Sequence, residues 1–350
     1  MAEAAQPISP QGAKARVVVA GATGYAGALA AGLVWKHPRL ELVAVTGRSD
    51  TGRKLSDLYP RYPVPLELKE LEDSDFEEVE AGIVAYPHGA AAPVVAAMRG
   101  RGLLVVDLSA DFRFRDLPVY EEFYGPHGEP GLLDGAAYGL TELDREWIRE
   151  AELVANPGCY PTASILALAP LARAGLIEDV VIDAKSGVSG AGRGGGESTA
   201  FVTVTENVNA YKPAGHRHRP EIVEKLGLIA AAGGNPEAAP DRLTFVPHLV
   251  PVDQGELVSC YVTPRRPVAQ AELDALYTSA YADEPFIRLR DVPPGMRDVR
   301  ETNFCDIFPL VTDDRILVES AIDNLWKGAS SQAIQNLNLM LGLDETEGIG

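Results

Sequence analysis

The chain has 350 residues but little cysteine, little positive charge and no long apolar run. Its three cysteines are too few and too scattered for a disulfide framework or a zinc site. Fifty acidic residues against 31 basic ones give a net charge of -19, which disfavours nucleic acid or an anionic membrane as a partner. No apolar run approaches the length of a membrane span. Residues 1–14 lack the apolar core of a signal peptide, so we expect a flexible tail on a cytoplasmic protein.

The first half of the chain alternates short apolar strands with helical patterns. Hydrophobic residues make up 46% of the sequence and charged residues 23%, which is ordinary for a soluble protein large enough for two domains. Short links between the elements predict a Rossmann-type, doubly wound parallel sheet. The predicted strands are Arg16–Ala20, Leu40–Thr46, Ala81–Tyr86, Leu103–Asp107 and Glu152–Ala155. Their carboxyl ends should place Gly21–Gly27, His88, Ser109–Arg113 and Cys159 near one cleft.

A glycine-rich turn follows the first predicted strand. Gly21, Gly24 and Gly27 form a Gly-x-x-Gly-x-x-Gly pattern before a helical pattern that reaches about His37. Such glycines let the backbone approach a pyrophosphate at a helix N-terminus, which predicts a dinucleotide site. The second strand ends in Thr46-Gly47-Arg48-Ser49, without the acidic residue typical of NAD-specific folds. The basic loop favours NADP, although a solvated surface loop explains this stretch equally well.

The stretch from Asn156 to Thr162 carries the candidate nucleophile. Cys159 lies where a strand gives way to a helical pattern that runs from Ala163 to Ala174. Unpaired N–H groups and the positive helix end stabilise a thiolate there. A buried structural cysteine is the alternative, and the Pro-Gly-Cys turn favours the nucleophile.

Two later stretches fit a nucleophilic cysteine. A Gly/Ser loop at positions 186–196 contains Arg193 and offers N–H groups to an anion, unless it is only a flexible connector. The stretch from Tyr211 to Ile222 has two histidines and two arginines in four positions, including His216 and His218. Histidine supplies the base that a cysteine nucleophile needs. A metal pair is the alternative, but no third ligand stands nearby.

The last part of the chain predicts a second sheet, and helices at Ala269–Ala282 and Ala329–Leu341. The predicted strands are Val180–Lys185, Leu243–Val250, Leu257–Thr263, Asn303–Val311 and Arg315–Ile322. The acidic tail Asp344–Gly350 is predicted to fray.

These motifs, in this order, resemble N-acetyl-γ-glutamyl-phosphate reductases of arginine biosynthesis, relatives of aspartate-semialdehyde dehydrogenase. The Asn-Pro-Gly-Cys-Tyr-Pro-Thr and Gly-His-Arg-His pieces are the specific ones, and the match spans nearly the whole chain. The resemblance implies an NADP-binding Rossmann domain at 15–158, to which the helix at 326–342 returns. It also implies an α+β domain at 159–325 that is built on a mixed sheet and serves catalysis, substrate binding and oligomerisation as a homodimer or homotetramer.

The resemblance also implies roles for individual residues in the NADPH-dependent reduction of a small-molecule acyl phosphate. Cys159 would be the nucleophile and His216 the general acid/base. The implied substrate ligands are Arg113, Ser189, Arg193, Arg217 and His218. The implied NADP(H) ligands are Gly21, Thr23, Gly24, Tyr25, Gly27, Arg48, Ser49, His88, Asn324 and Lys327.

Two other functions compete with this one. A related reductase acts on a carrier-linked aminoadipyl phosphate in lysine biosynthesis, but neither a basic docking face nor that branch's cysteine context is evident here. A non-catalytic NADPH-sensing regulator would share the glycine turn. Such a sensor would not need Cys159 together with His216.

Overall fold

A computed structural model of the chain describes residues 14–72, 76–240 and 242–350, so nearly all of the predicted tail lies outside the described residues. The described chain forms two compact units. The first unit contains the described residues up to Pro157 together with Ala329–Gly350, and the second contains Gly158–Gly328.

The elements alternate in the first unit and become strand-rich in the second. The strands are β1 (Ala15–Ala20), β2 (Leu40–Thr46), β3 (Leu68–Lys69), β4 (Ala81–Val84), β5 (Leu104–Asp107), β6 (Ala136–Tyr138), β7 (Leu153–Ala155), β8 (Ile177–Ser186), β9 (Asn209–Ala210), β10 (Arg242–Leu249), β11 (Glu256–Pro264), β12 (Ile287–Leu289), β13 (Cys305–Val311) and β14 (Ile316–Ile322). The helices are α1 (Tyr25–Lys36), α2 (Leu55–Leu58), α3 (Ala92–Arg99), α4 (Leu117–Tyr124), α5 (Thr141–Glu150), α6 (Cys159–Arg173), α7 (Phe201–Val204), α8 (His218–Ala232), α9 (Gln270–Tyr281) and α10 (Ser331–Met340).

The first unit contains a seven-stranded parallel sheet in the order β3-β2-β1-β4-β5-β7-β6. Its central strands are short apolar runs that are buried on both faces, as parallel sheets covered by helices require. The chain order reverses between β1 and β4, so the ligand crevice of this sheet is expected at their carboxyl ends. The predicted doubly wound fold is confirmed.

The second unit contains a mixed seven-stranded sheet in the order β12-β13-β14-β11-β8-β10-β9. β8 pairs parallel with β10 and antiparallel with β11, which confirms the predicted mixed sheet. Helix α6 packs on β11 and β14 and also against α8. These contacts anchor in the second unit the helix that begins with Cys159.

A proline inside α6 is compensated by a neighbouring helix. Pro170 has no N–H to donate to the carbonyl of Leu166, four residues earlier. The hydroxyl of Tyr281 on α9 donates to that carbonyl at 2.6 Å instead. Tyr277 donates to the next carbonyl, that of Ala167, also at 2.6 Å. Tyr281 thus satisfies the carbonyl that Pro170 leaves without its helical donor, and Tyr277 adds a second contact to the same turn.

The C-terminal segment of the first unit is tightly held. On α10, Asn336 donates to the carbonyl of Gly139 at 2.8 Å and to the side chain of Asn156 at 3.1 Å. Farther on, Arg145 pairs with Glu345 at 3.0 Å, and the His37 ring contacts the carbonyl of Glu347 at 2.8 Å. Ile349 is buried as well. The prediction of a frayed tail is wrong, because its acidic residues have specific partners.

Candidate active site

Cys159 is the first residue of α6. Gly158 precedes it in an extended conformation and gives the helix no side-chain cap. The thiol is half-buried, whereas Cys260 and Cys305 are fully buried within β11 and β13. Unsatisfied N–H groups and the positive end of a helix favour a thiolate at this position. Of the three thiols, Cys159 alone combines a helix start with partial access to solvent.

The turn before Cys159 is fixed by a buried carboxylate that the sequence analysis did not single out. Glu221 of α8 is fully buried and accepts the N–H of Gly158 at 3.1 Å. Thr162 donates through both its N–H and its hydroxyl to the carbonyl of Gly158, at 2.8 and 3.0 Å. These bonds set the orientation of the first turn of α6. The sequence did contain a signal for Glu221, because this acidic residue follows a polar, histidine-rich helix start.

His216 lies within a cluster of aromatic rings. Its ring is 5.7 Å from that of Tyr160, the neighbour of Cys159, and 5.4 Å from that of Tyr211. Phe245 and His218 complete the cluster at 5.3 and 4.9 Å between ring centres. The structure thus brings the predicted acid/base close to the residue that follows the predicted nucleophile.

The protonation state of His216 follows from its contacts. Its Nδ1 accepts the backbone N–H of His218 at 3.1 Å, which leaves the proton of the neutral ring on Nε2. Burial lowers the pKa of His216 to about 4, and the nearby charges of Lys212 and Arg217 act in the same direction. Near neutral pH this side chain is therefore a hydrogen-bond donor through Nε2.

Two tyrosine hydroxyls lie beside this cluster. Tyr211 donates to the hydroxyl of Tyr160 at 3.3 Å, and Tyr160 donates to the carbonyl of His248 at 3.3 Å. Burial raises the pKa of both tyrosines well above the ordinary value, so both remain neutral. His218 is the first residue of α8, a helix that the sequence analysis did not predict.

The other predicted residues of the second unit fall into two groups. Asn324 is buried, donates to the hydroxyl of Ser189 at 3.0 Å and accepts the N–H of Gly255 at 2.8 Å. Lys327 is fully buried with its ammonium over the ring of Phe286. In contrast, Arg193 and Arg217 are exposed. The roles predicted for these side chains in binding substrate or cofactor stay predictions.

Glu256, at the start of β11, is a further site residue that the sequence analysis missed. Its side chain is 0% exposed, and burial raises its pKa to about 8, an effect that the neighbouring Cys159 thiol opposes. The alternation of β11 could have revealed Glu256, because this residue lies on the same buried face of the strand as Val258 and Cys260. An acidic residue at an inward position of a strand is rarely tolerated without a reason.

In the first unit the predicted glycine turn joins β1 to α1. Gly21 has a φ of +93°, and a Cβ on it would lie 2.7 Å from the backbone of Ala85. A Cβ on Gly27 would lie 2.2 Å from the carbonyl oxygen of Gly21. Gly24 occupies the N-cap position of α1 but has no side chain to accept the first N–H groups, and the first turn contains no acidic residue. The turn is therefore a tight, uncapped helix start of the kind that accepts a pyrophosphate.

The remaining turn residues and the predicted 2′-phosphate loop are built around tyrosines. Tyr59 packs against the Tyr25 ring and donates to the carbonyl of Thr23 at 2.8 Å. The guanidinium of Arg48 lies over the ring of Tyr86 at 5.3 Å, and Arg48 is exposed. Ser49 donates to the carboxylate of Asp50 at 3.2 Å, and that carboxylate also pairs with Arg53. The exposed cation of Arg48 fits a phosphate ligand.

Asp111 organises the loops that follow β4 and β5. This buried carboxylate accepts the N–H groups of Gly89 and Ala92 at 2.8 to 3.0 Å and the hydroxyl of Tyr120 at 2.8 Å. It thereby fixes the loop that carries the exposed His88 and the start of α3. Arg113 is buried too, and its guanidinium donates to the carbonyls of Asn156 and Leu108, both at 2.8 Å. Arg113 therefore holds the segment that leads to Cys159, and its predicted contact with substrate stays a prediction.

No helix within residues 14–72, 76–240 and 242–350 is long and apolar enough to cross a membrane. Within those same ranges no group of three or more His, Cys, Asp and Glu side chains is arranged to hold a metal ion.

Comparison with known families gives two matches that together cover most of the chain. Residues 16–151 match a family model described as the semialdehyde dehydrogenase NAD binding domain, and residues 159–324 match one described as the semialdehyde dehydrogenase dimerisation domain. Among solved structures, aspartate semialdehyde dehydrogenase II from Vibrio cholerae, complexed with ASA, is similar with a TM-score of 0.72. That match has 18% identity and covers 95% of this chain and 99% of that one. The Candida albicans enzyme with NADP has a TM-score of 0.67 at 16% identity, over 94% and 98% of the two chains. At these identities the likeness concerns the fold.

Comparison with curated sequences is more specific. A protein from Dehalococcoides mccartyi (strain CBDB1) is 46% identical over 331 residues, which cover 93% of this chain and 95% of that protein. One from Methanococcus maripaludis (strain C5) is 41% identical over 341 residues, with 95% and 97% covered. Both are named N-acetyl-gamma-glutamyl-phosphate reductase.

Proposed function

This chain belongs to the N-acetyl-gamma-glutamyl-phosphate reductase family, and from that premise we propose that Cys159 and His216 carry its chemistry. The reaction is the NADPH-dependent reduction of N-acetyl-L-glutamyl 5-phosphate to N-acetyl-L-glutamate 5-semialdehyde and phosphate, in arginine biosynthesis. The observation that carries the assignment of residues is the location of Cys159 on the first turn of α6, next to the aromatic cluster that holds His216.

Cys159 acts on the acyl carbon of the substrate. The thiolate forms a bond to this carbon, and the bond to the phosphate oxygen breaks, so that phosphate leaves with the electron pair. The product of this step is a thioester on Cys159. The predicted substrate ligands would offset the negative charge of the acyl phosphate and the leaving phosphate; they are Arg113, Ser189, Arg193, Arg217 and His218.

The glycine turn after β1 fits the cofactor, because its tight backbone, which a Cβ at position 21 or 27 would disrupt, ends at an uncapped helix start. Gly21, Thr23, Gly24, Tyr25 and Gly27 would hold the pyrophosphate, and Arg48 and Ser49 the 2′-phosphate. His88, Asn324 and Lys327 are further predicted ligands. When bound, NADPH supplies the hydride that reduces the thioester.

An oxyanion forms on the acyl oxygen when the thioester carbon is reduced. The backbone N–H groups of Cys159 and Tyr160 at the start of α6 are suited to stabilise it, since Glu221 already occupies the N–H of Gly158. Nε2–H of His216 would donate to the same oxygen. Collapse of this intermediate releases the aldehyde and returns the thiolate of Cys159.

We further propose that the protein is cytoplasmic and forms a homodimer or homotetramer through the second unit. The match of residues 159–324 to a dimerisation-domain model supports this assembly. Sedimentation at micromolar concentration measures the oligomeric state directly, and a monomer would refute the proposal.

The test of the proposed function is phosphate-dependent reduction of NADP by the purified protein with N-acetylglutamate semialdehyde. The reverse direction avoids the unstable acyl phosphate. Activity that disappears without phosphate, and in the Cys159→Ser variant, is the expected result. Activity with the carrier-linked aminoadipyl substrate alone would favour the lysine-pathway reductase. Tight NADPH binding without turnover of either substrate would favour the sensor.

A further inference from the structure

Glu256 is a buried titratable group that the mechanism above leaves unused. It follows Gly255 at the start of β11, where it pairs with Ser186 of β8 on one side and Ile322 of β14 on the other. Its side chain is fully buried. Apart from the interaction with the Cys159 thiol, neither carboxylate oxygen has a hydrogen-bond partner among the described residues. A buried carboxyl group without other partners is costly, so its location beside the nucleophile calls for a role.

His216 does not supply the acceptor that the thiol needs. A thiol must lose its proton before it attacks, and the proton must go to a nearby group. The Nδ1 atom of His216 is engaged by the N–H of His218, and Nε2 therefore carries the proton of the neutral ring. A neutral ring in this tautomer has no vacant nitrogen to receive a proton. The thiol proton thus requires another acceptor.

We propose that Glu256 is this acceptor and shares one proton with Cys159. In the state of the pair that holds one proton, the S–H bond of Cys159 breaks, an O–H bond forms on the Glu256 carboxylate, and the thiolate attacks the acyl carbon. After the aldehyde has left, the carboxylic acid returns its proton to the thiolate. The pair ends with the same number of protons as it began. This inference deepens the function proposed above and rests on it.

The surroundings of Glu256 support proton sharing. Tyr160 and Tyr211 face the site and stay neutral, because burial raises the pKa of each and the negative charge of Glu256 acts in the same direction. Asp323, which follows β14, adds a negative charge that favours the protonated carboxyl group. Toward the same end of the sheet, Lys185 of β8 pairs with Asp183 at 2.8 Å, and Glu319 of β14 accepts the hydroxyl of Ser259. The charge of Asp323 therefore favours retention of a proton on the Cys159–Glu256 pair.

The rate of thiol alkylation against pH tests the proposal without substrate or cofactor. The full-length protein is treated with iodoacetamide from pH 5 to 11, and mass spectrometry locates the label, since Cys260 and Cys305 are buried. A coupled pair titrates in two steps. Like charges in contact separate these steps by about three pH units at an effective protein dielectric. We expect the wild-type rate to rise in two such steps.

Glu256→Gln replaces the carboxyl group by an amide of the same shape that accepts no proton. We expect its alkylation rate to rise in a single step, and its phosphate-dependent turnover to fall roughly 100-fold with NADPH affinity unchanged. Glu319→Gln is the matched control on the neighbouring strand and should keep the two steps. If Glu256→Gln does not fold, the number of steps in the wild-type alkylation rate against pH still tests proton sharing.

Each outcome has a definite meaning. A single step in the wild-type protein, or two unchanged steps in Glu256→Gln, overturns proton sharing. A change from two steps to one supports it. If the wild-type protein shows that change but lacks phosphate-dependent activity, the proton pair stands and the proposed function fails.

Discussion

Stability should fall with rising pH because Glu256 is buried. Burial raises the pKa of Glu256 from the ordinary value of 4.5 to about 8. The folded state then binds a proton that the unfolded state has lost between these two values, so the free energy of unfolding must decrease over this range. The stabilisation is fully present below pH 4.5 and is lost as pH rises through 8. Between pH 6 and 9 the loss amounts to about 2–3 kcal/mol.

The assay compares two variants that share Cys159→Ser, so that ionisation of the thiol does not contribute. One retains Glu256 and the other carries Glu256→Gln, which does not titrate. Urea unfolding of each is followed by tryptophan fluorescence and circular dichroism from pH 6 to 9. The difference in the free energy of unfolding between the two proteins should change by about 2–3 kcal/mol over this range.

The sign of this difference is as informative as its size. The protein that retains Glu256 should lose stability, relative to the protein with Glu256→Gln, as pH rises. A constant difference, or a change in the opposite direction, would refute the reasoning, because it would mean that the carboxyl group is ionised in the folded state throughout.

Three further predictions follow from the site and the tail. His216→Asn should lower turnover by roughly 10²–10³-fold in steady-state assays while NADPH titration stays unchanged; equal loss of cofactor affinity would contradict its assignment as the hydrogen-bond donor to the acyl oxygen. Gly27→Ala should weaken NADPH binding at least roughly tenfold in a fluorescence titration, because its Cβ meets the Gly21 carbonyl; Gly131→Ala, at a position with open space around it, is the control. Removal of residues 344–350 should destabilise the first unit by about 1.5–3 kcal/mol through loss of the buried Ile349, and an unchanged melting temperature would show that the tail contributes nothing.

Sequence patterns predicted the strands and turns whose residue types match their surroundings in the fold. The predicted apolar runs became the inner strands of both sheets, and the glycine spacing predicted the turn before α1. The short edge strands β3, β6, β9 and β12 were not predicted, because two or three residues carry no clear pattern. The start of α8 was missed because His216–Arg219 is polar enough to resemble a loop, although Pro220 in the first turn was a helix signal.

Residues that act through tertiary contacts could not be predicted. Glu256 is one inward position in an apolar strand, and only the arrival of α6 across the sheet makes it a partner of Cys159. Asn336 resembles a surface residue in the sequence, yet it bonds to Gly139 and Asn156. The acidic tail looked solvated because its partners Arg145 and His37 lie far away in the chain.

The discontinuity of the first unit constrains how the protein is made. The chain leaves this unit at Pro157 and re-enters it at Ala329, and α10 then packs against α1, α5 and β5. On the ribosome, the parallel sheet therefore emerges early but lacks its last helix until the whole second unit has been synthesised. Premature termination anywhere in the second unit would release a nucleotide-binding unit whose buried polar network, centred on Asn336, has not formed. We expect protein quality control to recognise such fragments through the surface that stays exposed when α10 is missing.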